Sequence, residues 1–447
     1  MTDELHAGDT VVVLGLGLYG RAIATALVAR GMHVVALEDR PSEEIDAFAE
    51  STAIDYAPKP DPAMVEEILT TAVAFFPSPG VPERHIAFEL ADRLSLPILS
   101  EFDLARWWDD RPVAAITGTD GKTTVTLLTV AMLRASGVNA VAVGNTEVPL
   151  IASIDDPDID VFVVEASSFR LAHTSSFSPH VAAWLNWGPD HLDVHIDLDR
   201  YERSKARVWA DLAPDGLAIA YAADPVVMRN LPETGRVLTV GTAPDAGATV
   251  AEGRLVVDGV DVASVTDLPR AFDHDVTNTL FAAAIALEMG ASVEGIRSAI
   301  ANHEMPPHRI QYVATIDEVA FYNDSKATVP HAVVTAIESF DSVVLIAGGR
   351  NKGLDLTPIA EPIDRVRAVV AIGEAAAEVE AAFAGRRPLV RAVDLDDAVR
   401  RASALAESGD VVLLSPGCAS YDSHRNYGAR GDDFMRAVAA LTEEATR

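Results

Sequence analysis

The sequence has little cysteine, little positive charge and no long apolar run, and each shortage excludes something. Cys418 is the only cysteine among 447 residues. No intramolecular disulfide can form, and a reducing compartment is expected. Zinc-type Cys/His spacing is absent as well. Basic residues number 35 against 67 acidic ones, for a net charge of −32. A nucleic-acid surface needs clustered Lys and Arg to meet phosphate, so no nucleic-acid partner is expected. No apolar run approaches the roughly 20 residues of a membrane helix. The opening Met1-Thr-Asp-Glu-Leu-His6 lacks the basic stretch and apolar core of a signal peptide. A cytoplasmic protein without membrane insertion is the expectation. Heptad arrays, internal repeats and low-complexity tracts are also missing.

What the chain does have is apolar residues, 49% of the total, enough to exclude a mainly disordered polymer. It is too long for one ordinary core, and about three domains are expected. The first opens with Thr10-Val-Val-Val-Leu14, a buried-strand pattern that runs into Gly15-Leu-Gly17-Leu-Tyr-Gly20. A helix is predicted over 21–30 and a second strand over 33–37, ending at Glu38-Asp39-Arg40. Three glycines in a strand-to-helix turn, with an acid about 20 positions on, make the dinucleotide fingerprint in its βαβ setting. Taken alone it suggests a nicotinamide or flavin enzyme. The same turn serves any pyrophosphate ligand, a UDP-sugar included, because it supplies glycine clearance and a helix N-terminus. Phe76-Pro-Ser78-Pro79-Gly80-Val-Pro82 is either a ligand loop at a strand carboxyl end or a plain turn. The first boundary falls near Glu101–Asp103.

Next comes Ala115-Ile116-Thr117-Gly118-Thr119-Asp120-Gly121-Lys122-Thr123-Thr124, set between an apolar run and a helix predicted over 125–134. Gly118 and Gly121 let backbone N–H groups converge on phosphate oxygens, Lys122 neutralises terminal phosphate charge, and Thr123 can reach magnesium. The usual P-loop has four residues between its glycines. Here only Thr119 and Asp120 intervene, and Ile116 stands at the outer glycine position. A bare strand-to-helix turn is the competing reading. Strands predicted over 112–117, 138–144 and 161–165 alternate with helices, the pattern of a parallel sheet. Glu165 ends an apolar strand, where a buried carboxylate needs a cation. In Asn186-Trp-Gly-Pro-Asp190-His191-Leu-Asp193, an isolated histidine is more often structural, but Glu165 and Thr123 on one sheet make His191 a metal candidate. Lys205, in a helix predicted over 199–213, reads locally as a solvated lysine. Residues 217–268 read as short strands and turns. Asp273-His-Asp-Val-Thr-Asn278 opens a helix predicted over 279–290, with Asn278 a cap or a nucleotide contact.

A third domain begins near Met305-Pro-Pro-His308-Arg309. Tyr322-Asn-Asp324-Ser-Lys326-Ala-Thr328, Gly348-Gly349-Arg350-Asn-Lys352-Gly353 and Ser415-Pro-Gly-Cys-Ala-Ser420 each follow an apolar strand pattern. This succession reads as another doubly wound domain. Lys, Arg and hydroxyls concentrated in the loops of an acidic chain point to an anionic ligand, with plain surface solvation as the alternative for any one of them.

The order of these motifs is specific even where each alone is not. Gly-x-Gly-x-x-Gly, Thr-Gly-Thr-x-Gly-Lys-Thr-Thr, Val-Val-Glu-x-Ser-Ser-Phe, Asp-His-Leu-Asp, a helix lysine, His-Arg, Asn-Asp-Ser-Lys-Ala-Thr and Ser-Pro-x-Cys-Ala-Ser follow one another. Over essentially its whole length the chain resembles the Mur ligases, whose phosphate loop has the shortened form seen here. The resemblance implies an α/β protein of three domains. These are a Rossmann-like UDP-sugar-binding domain over 1–103, a central P-loop ATPase-like domain with a parallel sheet over 104–304, and a Rossmann-like amino-acid-binding domain over 305–447. It implies an enzyme of peptidoglycan synthesis, a monomer, that uses ATP to join D-glutamate to UDP-N-acetylmuramoyl-L-alanine through an acyl phosphate.

By the same resemblance, Lys122, Glu165, His191 and Lys205 are the catalytic set, and Gly118–Thr124 holds the triphosphate. Thr123 and Glu165 would hold one magnesium ion, and His191 with a carbamylated Lys205 a second; carbamylation turns the lysine cation into an anionic oxygen ligand. Asn278, His308, Arg309 and Asp324 correspond to the rest of the ATP site. Leu16, Tyr19, Asp39, Arg40, Ser78, Gly80, Asn145 and Ser167, with Ser168 beside it, correspond to the UDP-substrate region. Lys326, Thr328, Lys352, Ser420 and Tyr427 correspond to the D-glutamate site, cations and hydroxyl donors suited to two carboxylates.

Three positions depart from the family pattern. Asp275 stands where asparagine is expected near adenine, Val329 where asparagine is common, and Tyr427 where phenylalanine is usual. Within the class, a ligase for another amino acid or a folylpolyglutamate-type ligase stays open, although the Asp-Asn-Pro-Arg run associated with diaminopimelate addition is absent. Outside it stand an NAD-dependent oxidoreductase, resting on Gly15–Gly20, and a non-catalytic nucleotide-sensing partner of a wall-synthesis complex.

Overall fold

The computed structural model describes residues 5–192, 194–243 and 245–445. The opening Met1–Glu4 and Asp193, which closes the Asp-His-Leu-Asp motif, lie outside the described residues. Three sheets organise the rest. β1 (Thr10–Leu14), β2 (His33–Glu38), β3 (Asp55–Pro58) and β4 (Ala74–Pro77) pair in parallel in the order β3-β2-β1-β4. β-Branched residues dominate β1, and Val11, Val12 and Val13 are fully buried, as expected of a parallel strand covered on both faces.

The second sheet is built from β5 (Val113–Thr117), β6 (Ala140–Gly144), β7 (Val161–Glu165), β8 (Val181–Trp184), β9 (Leu217–Tyr221), β10 (Arg236–Val240), β11 (Ala248–Ala251), β12 (Arg254–Val257) and β13 (Val260–Ser264), in the order β6-β7-β5-β8-β9-β10-β11-β12-β13. Pairing is parallel from β6 to β11 and antiparallel beyond. Two-residue turns, Glu252-Gly253 and Asp258-Gly259, join the last three strands, and all four residues have positive φ, the backbone that a tight hairpin turn of matching twist needs. β5 lies between β7 and β8, third from the β6 edge, so the loop after it opens at the carboxyl end of an interior strand, where parallel sheets collect ligands.

The third sheet comprises β14 (Gln311–Ile316), β15 (Val319–Asn323), β16 (Val343–Gly348), β17 (Val366–Ile372), β18 (Leu389–Arg391) and β19 (Val411–Leu414), in the order β14-β15-β19-β16-β17-β18. Only the edge strand β14 is antiparallel. Each sheet anchors one α/β domain, Rossmann-like at both ends of the chain and P-loop ATPase-like in the centre.

The domains gather into two compact units. One contains the third sheet, with Gly188–Leu192, Phe272–His274 and the chain from Glu304 onward; the other contains the first two sheets. The first two sheets share a core in which Val11, Phe76 and Phe102 join Ala115, Phe162 and Trp184. A polar joint reinforces it where the first boundary was placed. Asp103 is fully buried and accepts from the backbone N–H groups of Ser175 and Ser176, both at 2.7 Å, and of Ser100 at 2.8 Å. A carboxylate removed from water is tolerable when donors surround it in this way.

Candidate active site

The phosphate loop leaves β5 at Thr117, and the following helix, Lys122–Ala135, starts at the lysine with Gly121 as its cap at φ 82°. The helix thus begins three residues earlier than its apolar periodicity indicates, because Lys122, Thr123 and Thr124 form its first turn. The backbone demands glycine at Gly121: a Cβ there would lie 2.6 Å from Asn278 Oδ1. Asn186 splints the loop from the end of β8. Its Oδ1 accepts from the N–H groups of Thr119 and Asp120, both at 2.9 Å, and its Nδ2 donates to Asp120 O at 3.2 Å. Sequence reasoning passed over Asn186; its signal was an asparagine directly after the strand that neighbours β5. Lys122 Nζ donates to the carbonyls of Gly118 and Thr119 at 2.8 and 2.9 Å.

Lys205 corrects the local reading of its helix. The helix is Leu198–Ala206, followed by a tight 3-10 turn, Arg207–Trp209. Lys205 is 2% exposed, not solvated. Its Nζ lies over the Tyr201 ring and donates to Gly118 O at 2.6 Å. Tyr201 places its own hydroxyl 3.1 Å from Thr119 Oγ1. Asn278, expected near a helix start, instead sits inside the helix Asp273–Glu288, buried against the phosphate loop.

Sheet register carries Glu165 to the same place. It pairs with Ile116 on one side and Gly144 on the other, two residues before Gly118. Gly144, at φ 90°, leaves no room for a side chain, since a Cβ would meet Glu165 O at 2.6 Å. Asn145 follows it, with Nδ2 3.2 Å from Glu165 Oε1. Glu165 Oε2 is buried with no hydrogen-bond partner. An unpartnered carboxylate oxygen beside a phosphate loop fits a cation ligand.

Arg170, which the sequence reading did not single out, supports this group from below. It is 2% exposed and pairs through Nε with Glu101 Oε1 at 2.9 Å. Its Nη1 donates to Asn145 Oδ1 at 3.1 Å and reaches Ser167 Oγ at 3.4 Å. The guanidinium carbon also lies 3.9 Å from the centre of the Tyr19 ring, and Tyr19 OH donates to Thr146 O. Tyr19, Glu101, Asn145 and Ser167 therefore meet around one buried cation, and Asn145 links it to Glu165. Among the described residues, no three His, Cys, Asp or Glu side chains converge on a common point.

In the first domain, Gly20 is fixed by close approach, for a Cβ there would sit 1.8 Å from Gly15 O. The fingerprint acid, Glu38, turns inward and accepts from Leu16 N–H at 2.7 Å and Arg40 N–H at 2.8 Å. Leu16 itself is fully buried in the core, whereas Asp39 is exposed and pairs with His85 Nε2 at 3.1 Å. Arg40 is exposed. Ser78 and Gly80 line a small cleft together with Glu83, His173 and His195. His195, fully buried, bridges Glu83 Oε1 at 3.1 Å and Ser168 Oγ at 2.9 Å. Burial alone would raise the Glu83 carboxyl; hydrogen bonds and charge from His195 and Arg200 hold it down at about 2. Burial pushes His173 down to about 4.

His191 lies in the short segment that belongs to the other unit. Its φ is 58°, and its Nε2 is 3.3 Å from Asp190 Oδ2. In that unit Asp324, at the end of β15, receives Ile310 N–H at 3.1 Å on Oδ1 and Ser415 Oγ at 2.8 Å on Oδ2. Lys326 N donates to His308 O at 3.0 Å, and Lys326 Nζ lies 5.8 Å from the centre of the Tyr427 ring. The Tyr427 ring stands edge-on to His308 at 6.3 Å. Arg309 and Thr328 are half-buried, Ser420 is buried and Lys352 is exposed. The departures have visible consequences. Asp275 forms a two-pronged pair with Arg270 at 2.6 and 2.8 Å, and Val329 starts the helix Pro330–Glu338 with no side-chain cap, buried instead.

A short phosphate loop after an interior strand of a largely parallel sheet, with a buried carboxylate and a lysine closing on it, defines a nucleotide-using α/β enzyme. The Mur ligase middle domain matches residues 116–286, and the Mur ligase glutamate ligase domain matches 308–418. The UDP-N-acetylmuramoylalanine–D-glutamate ligase of Desulfosudis oleivorans is 39% identical over 97% of this chain and 96% of its own length. The protein of the same name from Salinibacter ruber is 37% identical over 99% and 100%. A crystal structure of MurF from Acinetobacter baumannii, 18% identical, shares the fold with a TM-score of 0.61 over 98% of this chain and 93% of that one. The chain belongs to the Mur ligase family, in the group of the UDP-N-acetylmuramoylalanine–D-glutamate ligases.

Proposed function

We propose that this chain joins D-glutamate to UDP-N-acetylmuramoyl-L-alanine at the expense of ATP, in the cytoplasm, as a monomer, with domains spanning 1–103, 104–304 and 305–447. The observation that supports it most is the unpartnered Glu165 oxygen on the strand beside β5, the strand that leads into the Gly118–Thr124 loop, in a chain whose full-length relatives carry that name. No helix of the described residues is long and apolar enough to cross a membrane.

A carboxylate and an amine do not condense at neutral pH until the acid has a leaving group. Transfer of the ATP γ-phosphoryl group to the alanine carboxylate supplies one, and the amine of D-glutamate then displaces phosphate from the acyl phosphate. The carboxylate must first approach a triphosphate, and like charges resist this. Lys122 and the N-terminus of the helix it opens counter that repulsion at the loop. Asn186 takes up the Thr119 and Asp120 N–H groups and so fixes the shape of the loop, and Asn145 holds Glu165. Arg309, Asn278, His308 and Asp324 complete the ATP site, with Asp324 suited to ribose hydroxyls. Lys326, Thr328, Lys352, Ser420 and Tyr427 take the two carboxylates of D-glutamate.

The donor set at the loop also fits magnesium. Thr123 and Glu165 would hold one ion, and His191 with a carbamylated Lys205 a second. When bound, the ions screen phosphate charge and polarise the transferring group. ADP release should require ATP, magnesium, the UDP-linked acceptor and D-glutamate together, and oxygen-18 placed in the acceptor carboxylate should appear in the released phosphate. Release of ADP without acceptor, or unlabelled phosphate, would contradict the proposal.

A further inference from the structure

Arg430 is a buried cation that no step above uses. It lies in the first turn of the last helix, Tyr427–Ala445, and is 4% exposed. Its three hydrogen bonds all go to neutral acceptors. Nε donates to Ser325 Oγ at 2.9 Å, Nη2 to Ser325 O at 2.8 Å and Nη1 to Cys418 O at 3.0 Å. Burial lowers its pKa to about 10, against the pull of Asp422, Cys418 and Asp324. A buried guanidinium is costly to retain, and three carbonyl or hydroxyl contacts offset only part of that cost.

The segments it ties are the ones that matter in this unit. Ser325 precedes Lys326 and leads to Thr328. Cys418 precedes Ser420 by two residues. Ser325 Oγ, besides accepting from Arg430, donates to Tyr427 O at 2.8 Å. A third loop closes on the same spot: a Cβ on Gly349 would lie 2.4 Å from Ala419 O and 3.1 Å from Arg430 Nη1. Arg350 and Ala419 exchange backbone hydrogen bonds at 2.8 and 3.0 Å, which leads the chain on to Lys352. One side chain thus sits under the loops after β15, β16 and β19 and under the start of the last helix. Those are the elements that carry Lys326, Thr328, Lys352, Ser420 and Tyr427.

We infer that Arg430 is a positioning residue for the amino-acid substrate, locking three loops and a helix start into the arrangement that receives a dicarboxylic amino acid. The inference rests on the D-glutamate reading of this site. Preorganised loops lower the cost of ordering them when the ligand arrives. The side-chain hydrogen bonds of Arg430 go to Ser325 and Cys418 and not to Asp324 or His308 of the proposed ATP site, so its loss should weigh on the amino acid more than on ATP or the UDP-linked acceptor.

The test is steady-state kinetics of the full-length enzyme and of Arg430→Lys, Arg430→Met and Ser325→Ala, varying one substrate while the other two saturate. Arg430→Lys keeps the charge and loses the three-way fork. Its KM for D-glutamate should rise about 10- to 100-fold, the range for losing one or two charge-assisted hydrogen bonds, with KM for ATP and acceptor within about twofold. Ser325→Ala removes only the hydroxyl between Arg430 and Tyr427 and should raise the same KM by less, which keeps the test decisive even where Arg430→Met fails to fold. An unchanged KM for D-glutamate in Arg430→Lys and Ser325→Ala, or equal shifts for all three substrates, would overturn the inference. Wild-type turnover separates the two claims. If the wild-type enzyme uses a different amino acid, the D-glutamate reading fails, and the same selective rise is then expected for that amino acid.

Discussion

Lys205 donates to the carbonyl of Gly118 at 2.6 Å, bridging 87 residues of sequence. The amine of this buried lysine also lies over the Tyr201 ring, and the proposed role at the second metal ion requires it to be carbamylated. Lys205→Ala should lose on the order of a hundredfold or more in kcat, the scale of removing a preorganised electrostatic group. Short-chain carboxylates should restore part of the loss. Activity measured across an acetate and propionate series checks this; no restoration in a folded variant would count against carbamylation.

The Arg170–Asn145–Glu165 chain predicts a defect in metal use. Asn145→Ala frees Glu165 Oε1 from its 3.2 Å contact and should raise the magnesium concentration for half-maximal rate about tenfold, the change typical of losing a group that orients a metal ligand. Arg170→Met leaves Glu101 buried without its partner and should cost about 3 to 5 kcal/mol of stability. Magnesium titrations and denaturant melts read these two effects separately.

Gly121 and Asn278 form a steric pair. Gly121→Ala puts a methyl 2.6 Å from Asn278 Oδ1 at φ 82°, so ATP affinity should fall and stability should drop by about 1 to 3 kcal/mol. Adding Asn278→Gly removes the clash but not the backbone strain. A double-mutant cycle on the unfolding midpoint should show part of the loss recovered.

Acid should destabilise the unit of the first two sheets in two stages. His173 is held near 4 against an ordinary 6.5. It stays neutral in the fold while the unfolded chain takes up a proton, so its contribution, complete above 6.5, is lost as pH falls from 6.5 toward 4. Glu83 is held near 2 against an ordinary 4.5, so its contribution is present above 4.5 and lost between 4.5 and 2. Thermal melts across pH 3 to 8 should show both declines; His173→Gln should remove the upper one.

Much of the fold was legible because its signals are local. Valine-rich β1, the glycine turns and the strand ending in Glu165 announce themselves in short windows, and the shortened phosphate loop fixed the site. Lys205 was misread locally for a physical reason. Its helix is rich in charged residues, Asp199, Arg200, Glu202 and Arg203, and the burial of Lys205 depends on β5 and the loop after it, which lie 87 residues away. Asn186, Arg170 and Arg430 escaped notice for the same reason. Each supports other functional residues through contacts set by tertiary packing, which no spacing in the sequence encodes. Glu38, beside the candidates Asp39 and Arg40, is set by the fold alone, its carboxylate accepting from the Leu16 and Arg40 N–H groups.

The central claim is that the chain adds D-glutamate to a UDP-linked acceptor, and product mass tests it most directly. Enzyme, ATP, magnesium and UDP-N-acetylmuramoyl-L-alanine should be incubated with a panel of amino acids that includes D-glutamate, L-glutamate, D-aspartate, D-alanine and diaminopimelate. The account predicts one added residue with D-glutamate, matched by equal ADP and phosphate, and little or none with the others. A product with a different amino acid, or ADP formed without any new product, would contradict it.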